Sequence, residues 1–169
     1  YEVATMGCRT RVFENRFGEK TSIGRGNLSF TSINLPRIAI EANGNVDVFF
    51  KVLQERMELV IDQLNERFRI ISNKRVKNFP FLMGEGVWMD SEKLGWDDEV
   101  REVLKHGTMT IGFIGLAEAL VALRGKHHGE DEESQKLGLK IIRTMREYTD
   151  KVSAETGLNY SVIATPAEG

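Results

Sequence analysis

The spacing of apolar residues in this chain switches repeatedly between a two-residue and a 3.6-residue period, and few folds satisfy such a pattern. Leu28-Ser29-Phe30-Thr31-Ser32-Ile33-Asn34-Leu35 alternates as a strand does, with Pro36 interrupting its end. Asn43-Gly44-Asn45 carries turn chemistry, with Asn45 placed to cap a helix. From Val46 to Ile71 the residues Phe50, Leu53, Met57, Val60, Leu64, Phe68 and Ile71 recur at helical spacing. Met109 to Ile114 is a second strand, running through Gly115 into a helix over Leu116–Leu123 that Gly125 ends. Acidic residues from Glu130 to Glu133 open a further helix with Leu137, Ile141, Met145, Tyr148 and Val152 as its apolar stripe and Gly157 at its end. Tyr160 to Ala164 is the last strand. Residues 73–105 read as mostly irregular, with a short helix between Asp97 and Lys105.

Strands separated by helices of this length predict an α/β fold with parallel strands and crossover helices. Ligands in such sheets gather at the carboxyl ends of strands, here the loops after Leu35, Ile114 and Ala164. The chain starts at Tyr1 and stops on Thr165-Pro166-Ala167-Glu168-Gly169, a helix-opening pattern, so a single domain over 1–169 truncated at both ends is expected. A net charge of −2 supplies no general attraction to nucleic acid or an anionic membrane. No apolar run is long enough to span a bilayer. With Cys8 as the only cysteine, neither an internal disulfide nor a cysteine-rich zinc site is available, and a cytoplasmic setting is expected.

Cys8 lies between Gly7 and Arg9-Thr10-Arg11, a polar setting that suits a core cysteine badly. Two arginines close in space would lower a thiol pKa and serve nucleophilic or redox work. Gly24-Arg25-Gly26-Asn27 reads first as a turn before the strand, and it lacks the Gly-Lys-Ser/Thr ending of a phosphate-binding P-loop. Thr165 to Gly169 is either a plain helix cap or a strand-to-helix junction whose backbone N–H groups face phosphate, with Glu168 weighing against an anion. His127-His128-Gly129 is a weak metal signal, because no further ligand stands at a matching spacing.

The segments Met6-Gly7-Cys8-Arg9-Thr10-Arg11, Gly24-Arg25-Gly26-Asn27-Leu28-Ser29-Phe30-Thr31, Ile33-Asn34-Leu35-Pro36-Arg37, His106-Gly107-Thr108, Ile111-Gly112-Phe113-Ile114-Gly115-Leu116-Ala117-Glu118, His127-His128-Gly129 and Ala164 to Gly169 together resemble the anaerobic, glycyl-radical ribonucleoside-triphosphate reductases, in the same order and nearly end to end. The resemblance implies about half of a ten-stranded α/β barrel, built from two five-stranded parallel halves with a finger loop through its middle. It implies Cys8 at the loop tip, where a thiyl radical takes the 3′ hydrogen of the ribose. It gives Asn27 the role of polar partner for loss of the 2′ hydroxyl, and makes Thr165, Ala167, Glu168 and Gly169 the substrate-phosphate loop.

The same resemblance implies a ribonucleoside triphosphate as substrate, formate as reductant on the strength of Asn27, a radical-SAM iron–sulfur activating enzyme as partner, and a homodimer. The glycyl radical and the four-cysteine zinc site of the family would lie outside these residues, so this stretch alone is expected to be inactive. Met6 and Thr10 replace the Asn and Glu that flank the active cysteine of aerobic reductases, which argues against that class. Two rivals remain: another glycyl-radical enzyme related to formate lyases, and a non-catalytic nucleotide-binding module in which Cys8 is incidental.

Overall fold

The computed structural model describes residues 4–5, 11–12 and 15–166. Its centre is a parallel three-stranded sheet formed by β3 (Asn27–Asn34), β4 (Thr108–Ile114) and β5 (Asn159–Ala164), with β4 in the middle. Two short strands, β1 (Ala4–Thr5) and β2 (Arg11–Val12), pair antiparallel as a separate ribbon. Helices α1 (Leu35–Ala42) and α2 (Val46–Ser72) follow β3, and the one-turn helix α3 (Arg101–Leu104) precedes β4. Helices α4 (Leu116–Arg124) and α5 (Glu132–Thr156) carry the chain from β4 to β5. All three expected strands are parallel and in one sheet, as long crossovers require. Among the described residues no helix is long and apolar enough to cross a membrane.

The helices begin and end where side-chain chemistry says they should. Asn45 accepts from the N–H groups of Asp47 and Val48 at 3.0 and 3.1 Å, and Asp131 accepts from Ser134 N–H at 2.7 Å. Gly125 and Gly157, with φ of 80° and 69°, take the left-handed conformation that closes α4 and α5. One helix departs from the sequence expectation. The strand stops at Asn34, whose side chain caps Arg37 N–H at 3.1 Å, and Leu35 and Pro36 open α1. Proline is at home in a first helical turn because its missing N–H has no partner to lose there.

Leu53, Met57 and Leu64 of α2 pack fully buried against Leu35 and Ala39 of α1, Met109 and Ile111 of β4, and Ile141 and Met145 of α5. The residue that α2 buries near its start is Phe49 rather than Phe50. Phe50 stays half-buried at the edge of the core, edge-on to Phe49 at 5.6 Å, and its ring lies beneath the Lys140 ammonium at 4.8 Å in a cation–π contact. A smaller apolar cluster of Val76, Met83, Trp88, Val100, Val103 and Leu104 organises the excursion between α2 and β4. There Trp88 Nε1 donates to the Val103 carbonyl at 2.8 Å.

Leu53 has no exposed surface, whereas Ile40 on the outer side of α1 is 69% exposed. Leu53→Ala should therefore cost about 2–5 kcal/mol of stability. Ile40→Ala should move it by less than about 0.5 kcal/mol. Urea unfolding followed by circular dichroism separates the two.

Candidate functional site

The two faces of β4 carry opposite chemistries. Met109 and Ile111 point into the helix-covered core, while Thr108, Thr110 and Gly112 alternate onto the other face. β5 repeats the pattern: Tyr160 joins the core, and Asn159 and Ser161 are buried on the other side. A parallel sheet is normally apolar on both faces. Polar groups buried on one of them require hydrogen-bond partners, and here they find one another.

A β-bulge brings Asn27 into that row. The register passes from Asn27↔Thr108 to Ser29↔Met109, so Leu28 is an extra residue on β3. Ser29 and Thr31 face α2, receiving bonds from Arg67 Nη1 at 2.8 and 3.3 Å, and Thr31 Oγ1 donates to Gln63 Oε1 at 2.8 Å. Strict alternation would send Asn27 the same way; the bulge turns it to the polar face. Its Nδ2 donates to Thr110 Oγ1 at 2.6 Å and Thr108 Oγ1 at 3.3 Å, and Thr110 Oγ1 lies 3.0 Å from Ser161 Oγ. Leu28, displaced by the bulge, packs over Gly107, where a Cβ would stand 2.5 Å from Leu28 Cγ.

Below this row, at the amino ends of the strands, a second network fixes the chain that leads into β3. Asn15 Oδ1 accepts from Phe17 N–H at 3.2 Å and Asn159 Nδ2 at 3.1 Å, which leaves its Nδ2 to donate to His106 Nδ1 at 3.0 Å. The ring proton then resides on Nε2, which donates to Asp90 Oδ2 at 2.9 Å. Lys93, and after it His106, hold the Asp90 carboxyl below its ordinary range. Arg25, 6% exposed, donates through Nε to the His106 carbonyl at 2.7 Å and through Nη1 to the Thr21 carbonyl at 2.9 Å. The Gly24–Gly26 turn thus precedes β3 as expected, and it also clamps the start of β4.

At the opposite end, Thr165 N–H donates to the Phe113 carbonyl at 2.9 Å and extends the β5 ladder. Thr165 Oγ1 meets Ser32 Oγ at 2.7 Å across β4. Gly112 makes the meeting possible, because a Cβ there would lie 2.2 Å from Thr165 Oγ1 and 2.4 Å from Ser32 Oγ. Of the expected site residues, Asn27 and Thr165 share the polar side of the sheet. Cys8, Ala167, Glu168 and Gly169 lie outside the described residues. His127 is taken up in the turn before α5: its Nδ1 accepts Gly129 N–H at 3.0 Å, and its own N–H donates to Glu130 Oε2 at 2.7 Å. Among the described residues no three His, Cys, Asp or Glu side chains gather as a metal site.

Sequence reading missed Thr110 and Ser161, although the alternation of Thr108, Thr110 and Gly112 with Met109, Ile111 and Phe113 was there to be seen. The Asn15–His106–Asp90 set left no such signal, because its members stand far apart along the chain.

A helix-backed parallel sheet with a buried, hydrogen-bonded polar face defines a segment of an α/β protein. The sequence profile described as "Anaerobic ribonucleoside-triphosphate reductase" matches residues 1–169. The chain belongs to the anaerobic ribonucleoside-triphosphate reductase family. It is 38% identical over 168 residues to the anaerobic ribonucleoside-triphosphate reductase of Escherichia coli K12, an alignment covering 96% of this chain and 23% of that protein. It therefore spans about a quarter of that relative's length. In fold it resembles the crystal structure of the anaerobic ribonucleotide reductase from Thermotoga maritima with citrate in the active site, with a TM-score of 0.67 and 22% identity over 89% of this chain and 26% of the other. The same Thermotoga maritima enzyme in complex with dATP and CTP gives a TM-score of 0.65 at 22% identity, covering 86% of this chain and 23% of the other.

Gly112→Ala should separate the Ser32 and Thr165 hydroxyls and cost about 1–3 kcal/mol, a typical penalty for overpacking. Thermal unfolding should show a smaller penalty when the alanine is introduced together with Ser32→Ala and Thr165→Ala.

Proposed function

We propose that this chain is the part of an anaerobic ribonucleoside-triphosphate reductase that attacks the substrate ribose, and that the whole protein makes deoxyribonucleoside triphosphates. The observation that carries this is the family match over residues 1–169 together with the polar sheet face onto which the bulge turns Asn27. Support for a nucleotide comes from spacing as well. Thr110, which holds Asn27, and Gly112, which underlies Thr165, stand two residues apart on β4, about 7 Å. That is the scale of a ribose and its 5′ phosphate. A Thermotoga maritima relative is described in complex with dATP and CTP.

In this scheme the Cys8 thiol hydrogen atom passes to the glycyl radical, and the sulfur takes the 3′ hydrogen of the ribose. A thiol suits the task because S–H and activated C–H bonds are close in strength, so the transfer reverses readily. Asn27 hydrogen-bonds the sugar while the 2′ hydroxyl takes a proton that originates in solvent and leaves as water. Formate supplies two electrons and a hydrogen and departs as carbon dioxide. Cys8 then returns the hydrogen to carbon 3′. The substrate phosphate docks at the segment that Thr165 opens, on the backbone N–H groups of Ala167, Glu168 and Gly169, with the Glu168 side chain turned aside. The glycyl radical that starts each cycle and the four-cysteine zinc site near it belong to the protein beyond these residues, and a separate radical-SAM iron–sulfur activating enzyme installs the radical. A cytoplasmic homodimer completes the proposal.

Cys8→Ser in the full-length protein tests it. Serine is close in size, but its O–H bond is much stronger than S–H, which makes hydrogen abstraction steeply uphill. At tenfold in rate per about 1.4 kcal/mol, turnover should fall below detection. The glycyl radical signal should still form by electron paramagnetic resonance, and adding substrate should not consume it. Deoxyribonucleotide production by the serine variant near the parental rate would remove Cys8 from the mechanism.

A further inference from the structure

We propose that Thr110 is a positioning residue for Asn27, and that with Thr108 and Ser161 it fixes which end of the Asn27 amide faces the substrate. The inference rests on the role assigned to Asn27 above and follows from where the hydrogen atoms on this face have to go.

An asparagine side chain presents two donors at one end and an acceptor at the other, and only its neighbours decide which end points where. Thr108 settles the first part. Its hydroxyl has the Gly26 carbonyl as an acceptor, a long contact at 3.5 Å, and with its hydrogen turned there it offers lone pairs toward Asn27. An Asn27 flipped by 180° would bring its own carbonyl oxygen against that hydroxyl, acceptor against acceptor. With Nδ2 there instead, one amide hydrogen is directed to Thr108 Oγ1 at 3.3 Å and the other to Thr110 Oγ1 at 2.6 Å. Both donors are then engaged with the sheet, and Oδ1 is the end left for a ligand. Asn27 is half-buried, so this end is reachable.

Thr110 settles the second part. A hydroxyl has one hydrogen to give, and Thr110 accepts from Asn27, so its own hydrogen goes to Ser161 Oγ at 3.0 Å. Thr110 is 2% exposed and Ser161 5%, so water does not readily substitute for either partner. The row Asn27→Thr110→Ser161 therefore runs in one direction, from β3 across β4 to β5. It presents Asn27 to the ribose as a hydrogen-bond acceptor, for a sugar hydroxyl that donates. Thr110 touches no substrate; it acts through Asn27.

The test uses full-length enzyme carrying Thr110→Val, Thr110→Ser, Ser161→Ala and, as a control, Asn27→Ala. Valine keeps the β-branched shape and removes the acceptor, leaving the Asn27 amide without its shortest bond. A misdirected group near reacting atoms costs on the order of 10²-fold. Thr110→Val should lower kcat by roughly that factor while the nucleotide dissociation constant and the yield of glycyl radical stay at parental values. Thr110→Ser keeps the hydroxyl and should restore most of kcat. Ser161→Ala takes away the acceptor for the Thr110 hydrogen and should give a smaller loss in the same direction; it carries the test if the valine variant unfolds.

Parental kcat in Thr110→Val or, where that variant is unfolded, in Ser161→Ala overturns the inference. So does a serine variant as impaired as the valine, or a loss of nucleotide affinity that accounts for the whole loss of rate. If Asn27→Ala itself turns over at the parental rate, the role of Asn27 fails and the inference falls with it. An inactive Asn27→Ala beside a fully active Thr110→Val sinks the inference alone.

Discussion

Strand β4 has a parallel partner on each edge, helices over one face and hydrogen-bonded amides and hydroxyls on the other. Residues buried on both sides of a sheet ordinarily stabilise it through apolar contact, and Met109 and Ile111 do so against α2 and α5. Thr108 and Thr110 cannot, because an unpaired hydroxyl in such a place costs about 1–3 kcal/mol. Every fully buried polar atom on this face must be matched by another. The side chains that match them, Asn27 and Ser161, come from the strands on either side. Holding the sheet together and orienting the Asn27 amide are here the same set of hydrogen bonds.

The two ends of β4 extend that coupling to the rest of the chain. At its amino end, His106 joins Asn15, Asp90 and, through its carbonyl, Arg25, so the segments before β3 and after α2 meet at one buried ring. At its carboxyl end, the empty position at Gly112 lets Ser32 and Thr165 touch over the strand. Segments widely separated in sequence are gathered along one strand of seven residues.

Much of the framework was legible in the sequence because it depends on period. Strands β3, β4 and β5, helices α2, α4 and α5, and the ends at Asn45, Gly125 and Gly157 all follow from local spacing and cap chemistry. Helix α1 escaped because Pro36 reads as a strand breaker unless Asn34 is recognised as the cap before it. Phe49 and Phe50 are adjacent, and a helical wheel alone does not say which of them meets the core and which meets Lys140. The polar face was written in alternate positions of β4, yet those residues look ordinary one at a time. The His106 cluster is a product of tertiary folding, with contacts between residues as distant as 15 and 106. Cys8 and the loop from Ala167 to Gly169 stand on family resemblance.

The bulge at Leu28 makes the face on which Asn27 appears a matter of parity. Counted back from Ile33, which is in the core, Asn27 has the parity of a core-facing residue; one unpaired position reverses it. Exchanging Leu28 for another apolar side chain leaves the count unchanged. Deleting it would leave Asn27 directly before Ser29 in an unbroken ladder, still opposite Thr108 and on the polar side. Keeping every residue but pairing Leu28 with Thr108 in regular order would instead carry the amide to the other side of the sheet with its identity intact. Two chains could therefore agree at every one of these residues and still differ in the side on which the amide stands. In comparing members of this family, the register between Asn27 and Thr108 carries as much information as the residues themselves.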